Sequence, residues 1–423
     1  MSYTIHDSSF WDDGSLRAEL FRIFDKCHGC RLCYQLCPSF TYLFDTIDAK
    51  GDHVENLESP DYEQSEKLCF QCKLCFPKCP YTPPHEWEID FPRLMLRAKL
   101  LRMKRDGIPV FERLMGYTDM IGKIGGMTAP VANFMNKFIV NRLVMEWLAG
   151  IHRKRNLPLF HSNSLLRWIN KNRPEYRTMK ESEGEKAALF YTCYLNYNAP
   201  HIGRAVVLTL EVSGVNLYVP EQVCCGMPHL DSGNLKSALD SINRNIESLE
   251  AVVAAGYAIV TPQPTCTYML KQEYPWLVES DSARKIATGT KDYTEFLWDL
   301  HEKGRFNTAF KNSRGEITYH VPCHLKAQNI GFKSRDIMKL IPGAKIKIVD
   351  KCSGHDGTWS LKKDYFELSL KIGAKLFQGI EKTGEAVAVT DCSLSGLQIK
   401  VGMNRESKHP AEILADAYGL SYS

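Results

Sequence analysis

Apolar positions along the chain follow two different rhythms. Leu16, Leu20, Ile23 and Phe24 recur at helical spacing and predict a helix that Ser15 can cap and that runs into Cys27; residues 91–105 predict another. Strand-like alternation is scarce in this part. From residue 186 onward, short apolar runs alternate with longer amphipathic ones, which predicts strands alternating with helices. A first series reads as strand 187–191, helix 201–212, strand 215–219, helix 234–254 and strand 257–260. A second reads as strand 317–321, helix 325–340, strand 346–349, helix 365–377 and strand 386–389. Such alternation implies parallel sheets whose strands are buried on both faces.

Each predicted strand is followed by cysteine, which turns the pattern into an internal repeat. Cys193, Cys224 with Cys225, and Cys266 follow the first three strands; Cys323, Cys352 and Cys392 follow the next three. Leading cysteines are 31 and 42 residues apart in the first copy and 29 and 40 in the second. Loops at the carboxyl ends of parallel strands share one rim, where ligands of open α/β sheets collect. Small cysteines can also fill core space, but six matched positions after six strands favour a shared thiol site.

Composition places the chain among folded proteins. Its 423 residues are 44% apolar and 24% charged, which excludes disorder and a disulfide miniprotein and suggests two or three domains. Charges among the first thirty residues argue against a secretory signal, and the expected location is cytoplasmic. Residues 124–136, the nearest approach to a membrane span, are too short and contain Gly125, Gly126, Pro130 and Asn133. Fifteen cysteines in a reducing compartment point to metal or redox chemistry before disulfides.

Two motifs carry the strongest signal. Cys27-x2-Cys30-x2-Cys33-x3-Cys37-Pro38 is repeated as Cys69-x2-Cys72-x2-Cys75-x3-Cys79-Pro80. Three closely spaced thiolates can wrap one [4Fe-4S] cubane while the fourth ligates the other. The expected sets are Cys27, Cys30, Cys33 and Cys79 for one cluster, and Cys69, Cys72, Cys75 and Cys37 for the other. Paired structural zinc sites are the alternative, although they rarely need a third and a proline-terminated fourth cysteine in tandem. Lys26, His28, Arg31, Lys73 and Lys78 lie close to the thiols and read as solvated surface groups. Phe70, Tyr34 and Phe76 read as shields against water.

The repeat resembles the cysteine-rich CCG domain of heterodisulfide reductases, glycolate oxidase iron-sulfur subunits and the C subunit of anaerobic glycerol-3-phosphate dehydrogenase. The residues that carry this resemblance are Cys224-Cys225-Gly226, Pro264-Thr-Cys266, Leu270-Lys-Gln-Glu-Tyr-Pro275, Pro322-Cys323-His324-Leu325-Lys326 and Thr390-Asp391-Cys392. Residues 24–30 and 84–92 also look like relatives whose genes neighbour rubrerythrin. The resemblance implies an N-terminal α-helical ferredoxin module followed by tandem α/β CCG repeats with parallel sheets. The expected divisions are 1–106 for the ferredoxin module, 107–185 for a basic helical connector, 186–310 for the first repeat and 311–423 for the second.

A complete CCG domain is implied to supply five thiols to an iron-sulfur cluster. Here the first copy stops at four, and the second keeps three, with Ser353 and Ser395 where further cysteines would stand. Four thiolates suffice for an ordinary four-iron cluster; three leave an iron open or hold no cluster. Substrate chemistry at this rim would draw on the seven repeat thiols with His324, Lys326 or His355 as acid–base groups. His201, His229 and Asp356 are further neighbours, read first as ordinary loop residues.

No strand is followed by GxGxxG and no GxxxxGK[ST] occurs, so oxidation of an organic donor would require a flavin-bearing partner. Residues 93–180 carry eighteen Lys or Arg against five Asp or Glu, leaving the rest of the chain net negative. This stretch could lie on the cytoplasmic membrane face, grip an acidic partner, or pack the ferredoxin module against the repeats. Nucleic acid is not expected. The leading expectation is an electron-transfer subunit between a flavoprotein dehydrogenase subunit, or a rubrerythrin-like protein, and a quinone or protein acceptor. It would use two [4Fe-4S] clusters and the CCG site, where a further cluster is a second expectation. A thiol-disulfide reductase acting at that site and a zinc scaffold are the alternatives.

Overall fold

The computed structural model describes residues 4–181, 183–384 and 386–423. Residues 4–181 contain no strand among those described. Their helices are α1 (Asp13–Cys30), α2 (Pro38–Ala49), α3 (Ser59–Leu68), α4 (Cys75–Lys78), α5 (Phe91–Asp106), α6 (Val110–Met115), α7 (Thr118–Met127), α8 (Ala129–Met135), α9 (Ile139–Ala149) and α10 (Leu165–Asn172). The start of α1 differs from expectation. Asp12 is the cap: its carboxylate accepts the Ser15 amide at 2.6 Å and so satisfies a free amide of the first turn. The helix also continues through Cys27 to Cys30.

Pro38 and Pro92, each in the first turn of its helix, start α2 and α5 at little cost, since a proline there forfeits no intrahelical hydrogen bond. The apolar faces of α1, α2, α3 and α5 close one core in which Phe40 stacks on Phe91 at 4.2 Å and Phe24 on Tyr62 at 5.3 Å. Arg102 on α5 meets the buried Glu66 of α3 at 2.6 Å.

The remaining chain forms two parallel sheets. The first has β1 (Lys186–Leu189), β2 (Asn216–Tyr218), β3 (Ala258–Thr261) and β4 (Thr290–Asp292) in the order β2-β1-β3-β4. The second has β5 (Glu316–His320), β6 (Lys345–Val349) and β7 (Val387–Thr390) in the order β6-β5-β7. The central strands show why: Ala187, Ala188 and Leu189 are wholly buried, as are Ile259 and Val260. The short β4 differs from expectation, because Thr290-Lys-Asp292 carries no apolar signal.

The helix expected over 325–340 is split into Cys323–Ala327 and Lys333–Lys339. Asn329 and Gly331 in the break both have left-handed backbone, which an α-helix cannot accommodate. The last helix, Pro410–Tyr418, packs back on the Pro200–Val212 helix of the first copy, and one apolar cluster includes strand residues of both sheets.

Three contacts seat the ferredoxin module in the seam between the copies. Lys73 Nζ meets Glu273 of the first copy at 3.0 Å, with both side chains almost fully buried, and Lys73 also donates to Gln71 Oε1 at 2.8 Å. His324 of the second copy donates from Nε2 to the Gln71 carbonyl at 3.1 Å. Trp359 donates to the Lys67 carbonyl at 2.9 Å. Lys73 is thus not the solvated surface group expected from its neighbours. Burial works against its charge, yet Glu273 holds its pKa above the ordinary value; burial would raise Glu273, but Lys73 and Arg93 together hold it low.

Removing one partner strands the other as an unpaired buried charge, at about 3–5 kcal/mol. Lys73→Met and Glu273→Leu should each lower denaturant stability by that amount. The double variant should recover most of the loss, measured by anaerobic chemical unfolding.

Candidate functional site

All fifteen cysteines carry free thiols, and they gather into four sets. In the first set, Cys27 is pushed up by burial and then by Cys33, Cys79 and Cys30. In the second, burial pushes Cys37 up to about 12, with Cys69 adding to it, and Cys72 and Cys75 are raised by burial together with thiols of this set. Cys79 therefore sits with the first motif and Cys37 with the second, so the fourth cysteines cross over.

Local backbone makes this wrapping possible. Arg31, Gln71 and Lys73, which lie between successive cysteines, all have left-handed backbone that turns the chain around each set. A non-glycine residue there costs about 1 kcal/mol or more, so the surroundings must hold it. Gln71 Nε2 lies 3.5 Å from Cys69 Sγ, and the Tyr81 amide donates to Cys79 Sγ at 3.4 Å. Phe70 is buried against Trp359 at 5.1 Å.

The third set lies at the ends of β1, β2 and β3, where the chain turns from strand into loop. Cys193 Sγ is 3.9 Å from Cys224 Sγ, and Cys225 bonds Cys224 and Cys266 in turn. Hydrogen bonds from Cys193 and Cys225 favour the thiolate at Cys224. Gly226 has left-handed backbone, and its missing side chain leaves room for the Ala238 carbonyl.

The connector closes this set. Asp119 on α7 accepts the Cys224 amide at 2.6 Å, and burial, then Cys224, raises its carboxyl to about 6. The same helix passes Tyr197 at Gly122, where a Cβ would lie 2.2 Å from the ring. Neither residue was legible as part of a site, since an aspartate in a short basic helix reads as solvated.

The fourth set comprises Cys323, Cys352 and Cys392. Burial raises all three, Cys352 to about 11, and Asp356 adds to each. Gly354 donates its amide to Cys352 Sγ at 3.3 Å. Ser353 and Ser395 are hydrogen-bonded to each other at 3.2 Å. Sets two and four are neighbours: Cys72 acts on Cys323, and Cys352 acts on Cys37 and Cys72. Sets one and two are linked likewise through Cys33 and Cys75.

His324 is occupied at both nitrogens: Nδ1 accepts from the Thr265 hydroxyl at 2.9 Å while Nε2 donates to Gln71. Burial lowers it to about 4, so the ring is neutral near pH 7 and holds two loops together. His355 is also buried, with neither ring nitrogen bonded among the described residues. His229 packs edge-on to Tyr117 at 4.7 Å, and His201 is 3.9 Å from Glu412. Lys326 pairs with Asp350 at 2.7 Å.

Crowded thiols lose their protons when a cation arrives, and the first three sets each offer four thiols. That is the donor chemistry an iron-sulfur cluster needs.

Fold and thiol constellation define a tandem cysteine-rich α/β protein with a helical, two-motif head. Residues 187–271 and 317–400 match the CCG cysteine-rich domain, and residues 20–105 match the Fer4-like domain of citrate utilization protein B. Lactate utilization protein A of Bacillus pumilus is 32% identical over 247 residues, covering 98% of that protein and 54% of this chain. The chain therefore belongs to the CCG family that includes lactate utilization protein A. The C subunit of anaerobic glycerol-3-phosphate dehydrogenase from Escherichia coli is 28% identical over 314 residues, 72% of this chain and 76% of the relative. The B subunit of fumarate reductase (CoM/CoB) from Methanothermobacter marburgensis is 25% identical over 392 residues, 88% of this chain and 75% of the relative.

A Cβ on Gly354 would stand 2.1 Å from the Ser369 carbonyl, and its backbone is left-handed. Gly354→Ala should therefore displace the Cys352 loop. We expect faster alkylation of Cys352, read by mass spectrometry, with Cys27 to Cys79 unaffected.

Proposed function

We propose that this chain is an iron-sulfur electron-transfer subunit. Two [4Fe-4S] clusters, one held by Cys27, Cys30, Cys33 and Cys79 and the other by Cys37, Cys69, Cys72 and Cys75, relay single electrons toward the repeat thiols. A flavoprotein dehydrogenase subunit or rubrerythrin-like protein supplies or receives electrons at one end, and a quinone or protein acceptor serves the other. The observation that carries this reading is the run of the first, second and fourth thiol sets, each within electrostatic reach of the next: Cys33 with Cys75, then Cys72 with Cys323 and Cys352. Three relatives named as components of dehydrogenase, reductase or lactate-utilization systems are consistent with it. Disulfide reduction has less support, because the second copy replaces two thiols by serines that bond each other.

The connector provides an attachment surface. No helix among the described residues is long and apolar enough to cross a membrane. Yet Met127, Val131, Phe134, Val140, Trp147 and Leu148 on α7, α8 and α9 are each 60% exposed or more. Exposed charges beside them are cations: Arg113, Lys123, Lys137, Arg153 and Lys154. The nearby acids are engaged, Glu146 by Arg153, Glu112 by Lys362 and Asp119 by the Cys224 amide. An apolar face ringed by cations suits a bilayer surface bearing anionic lipid.

Protein purified without oxygen should be brown and hold about eight or more irons and as many sulfides. Cys79→Ser should abolish the same reduced-cluster signal as Cys27→Ser and spare the one lost in Cys69→Ser; a colourless zinc protein overturns the reading. Flotation with anionic vesicles should recover the wild type and fail for the Phe134→Glu, Trp147→Glu pair, while neutral vesicles bind weakly.

A further inference from the structure

Cys37, Cys69, Cys72 and Cys75 wall one cavity of about 310 Å³. Four thiols around one space are the donor arrangement a four-iron core takes. Among the described residues on that wall, the only other polar side chains are Gln71 and Lys73; the remainder are apolar. A dipole or charge set in such a wall acts through low dielectric and counts for more than it would in water.

Both polar side chains are held in one orientation. Gln71 Nε2 donates to the Pro92 carbonyl at 3.2 Å and to Cys69 Sγ at 3.5 Å, while Gln71 Oε1 accepts from Lys73 Nζ at 2.8 Å. A carbonyl only accepts and an ammonium only donates, so the amide cannot be turned over without losing both partners. One N–H of Gln71 is thereby aimed at the Cys69 sulfur. Lys73 in turn is fixed by Glu273 at 3.0 Å, and Glu273 ends the π-helical turn Met269–Glu273 of the first copy, a rare winding that is frequent at functional sites. The Gln71 backbone carbonyl is meanwhile taken by His324 of the second copy at 3.1 Å. Contacts thus run without a gap from Glu273 through Lys73 and Gln71 to a sulfur of the second set.

We propose that this chain of contacts sets the reduction potential of the cluster held by Cys37, Cys69, Cys72 and Cys75, with Gln71 as the donor to sulfur and Lys73 and Glu273 as the residues that position it. This rests on the iron-sulfur reading above. Reduction adds one electron to a cluster that four thiolates already make negative. An N–H bonded to a ligand sulfur and a cation on the same wall favour the electron-rich form, so both raise the potential. Glu273 carries the opposite charge but does not line the cavity, and the ion pair therefore turns its positive end toward the thiols. The first repeat tunes in this way a cluster to which it gives no ligand. At the first set the Cys79 sulfur takes its N–H from the Tyr81 backbone, which makes that cluster an internal reference.

The test is a reductive titration of the full chain, purified without oxygen, with both cluster signals followed by electron paramagnetic resonance; the second-cluster signal is the one lost in Cys69→Ser. Gln71→Met and Gln71→Leu remove the N–H and leave Lys73 with Glu273, and each should move the midpoint of that signal to a more negative potential. The Lys73→Met, Glu273→Leu pair, whose stability stays near wild type, should move it the same way. The first-cluster midpoint should stay in place in all three. A purely structural role for Gln71 would lower denaturant stability and leave the midpoint where it was. The proposal is overturned if the Gln71 variants or the double variant keep the wild-type midpoint, or if both clusters shift together. Protein devoid of iron and sulfide instead overturns the broader iron-sulfur reading, whereas two intact clusters with an unmoved second midpoint overturn this assignment alone.

Discussion

A lysine ammonium held out of water between Cys72 and Cys75 is the constraint around which the molecule is arranged. Such a charge is tolerable only where a carboxylate meets it, and Glu273 of the first repeat does so at 3.0 Å. The pair contributes less to net stability than to placement. Any shift of the module along the seam would leave two bare charges in low dielectric, so the second cysteine motif has one seat. His324 and Trp359 complete that seat from the other repeat with neutral hydrogen bonds.

Because the seat lies at the seam, the second motif touches both copies, and the copies differ in what they present. The first has four thiols closed over by α7, with Asp119 bonded to the Cys224 amide. The second has three thiols and two hydroxyls that bond each other. One duplicated α/β unit thus yields two different donor sets. Reciprocal hydrogen bonds between Gln263 and Ser393, at 2.9 and 3.2 Å, hold the two cysteine-bearing rims against each other.

Much of this was legible in the chain. Strand-then-cysteine repetition exposed both sheets and their shared rims, because buried parallel strands must be apolar throughout. Motif spacing also suggested grouping Cys79 with the first motif and Cys37 with the second, as in the ligand sets proposed above. What stayed hidden depends on long-range contact. Lys73 and Glu273 are 200 positions apart and each alone reads as a surface residue; only tertiary burial makes them a pair. Asp119 carries no local pattern either. The break at Asn329 lay inside an apolar periodicity that continued across it, and β4 had no apolar periodicity at all.

Helix α7 serves two sides at once. Asp119 reaches inward to the Cys224 amide, and Gly122 and Gly125 let the helix lie close on Tyr197 and Phe160, while Met120, Ile124 and Met127 point away from the protein. A helix with its side chains is about 10 Å thick. Whatever covers those outer methionines therefore rests a single helix width from the sulfur atoms of the first repeat. Pressure, tilt or detachment at that outer boundary reaches the innermost thiols through one rigid rod, with no flexible segment in between to absorb it.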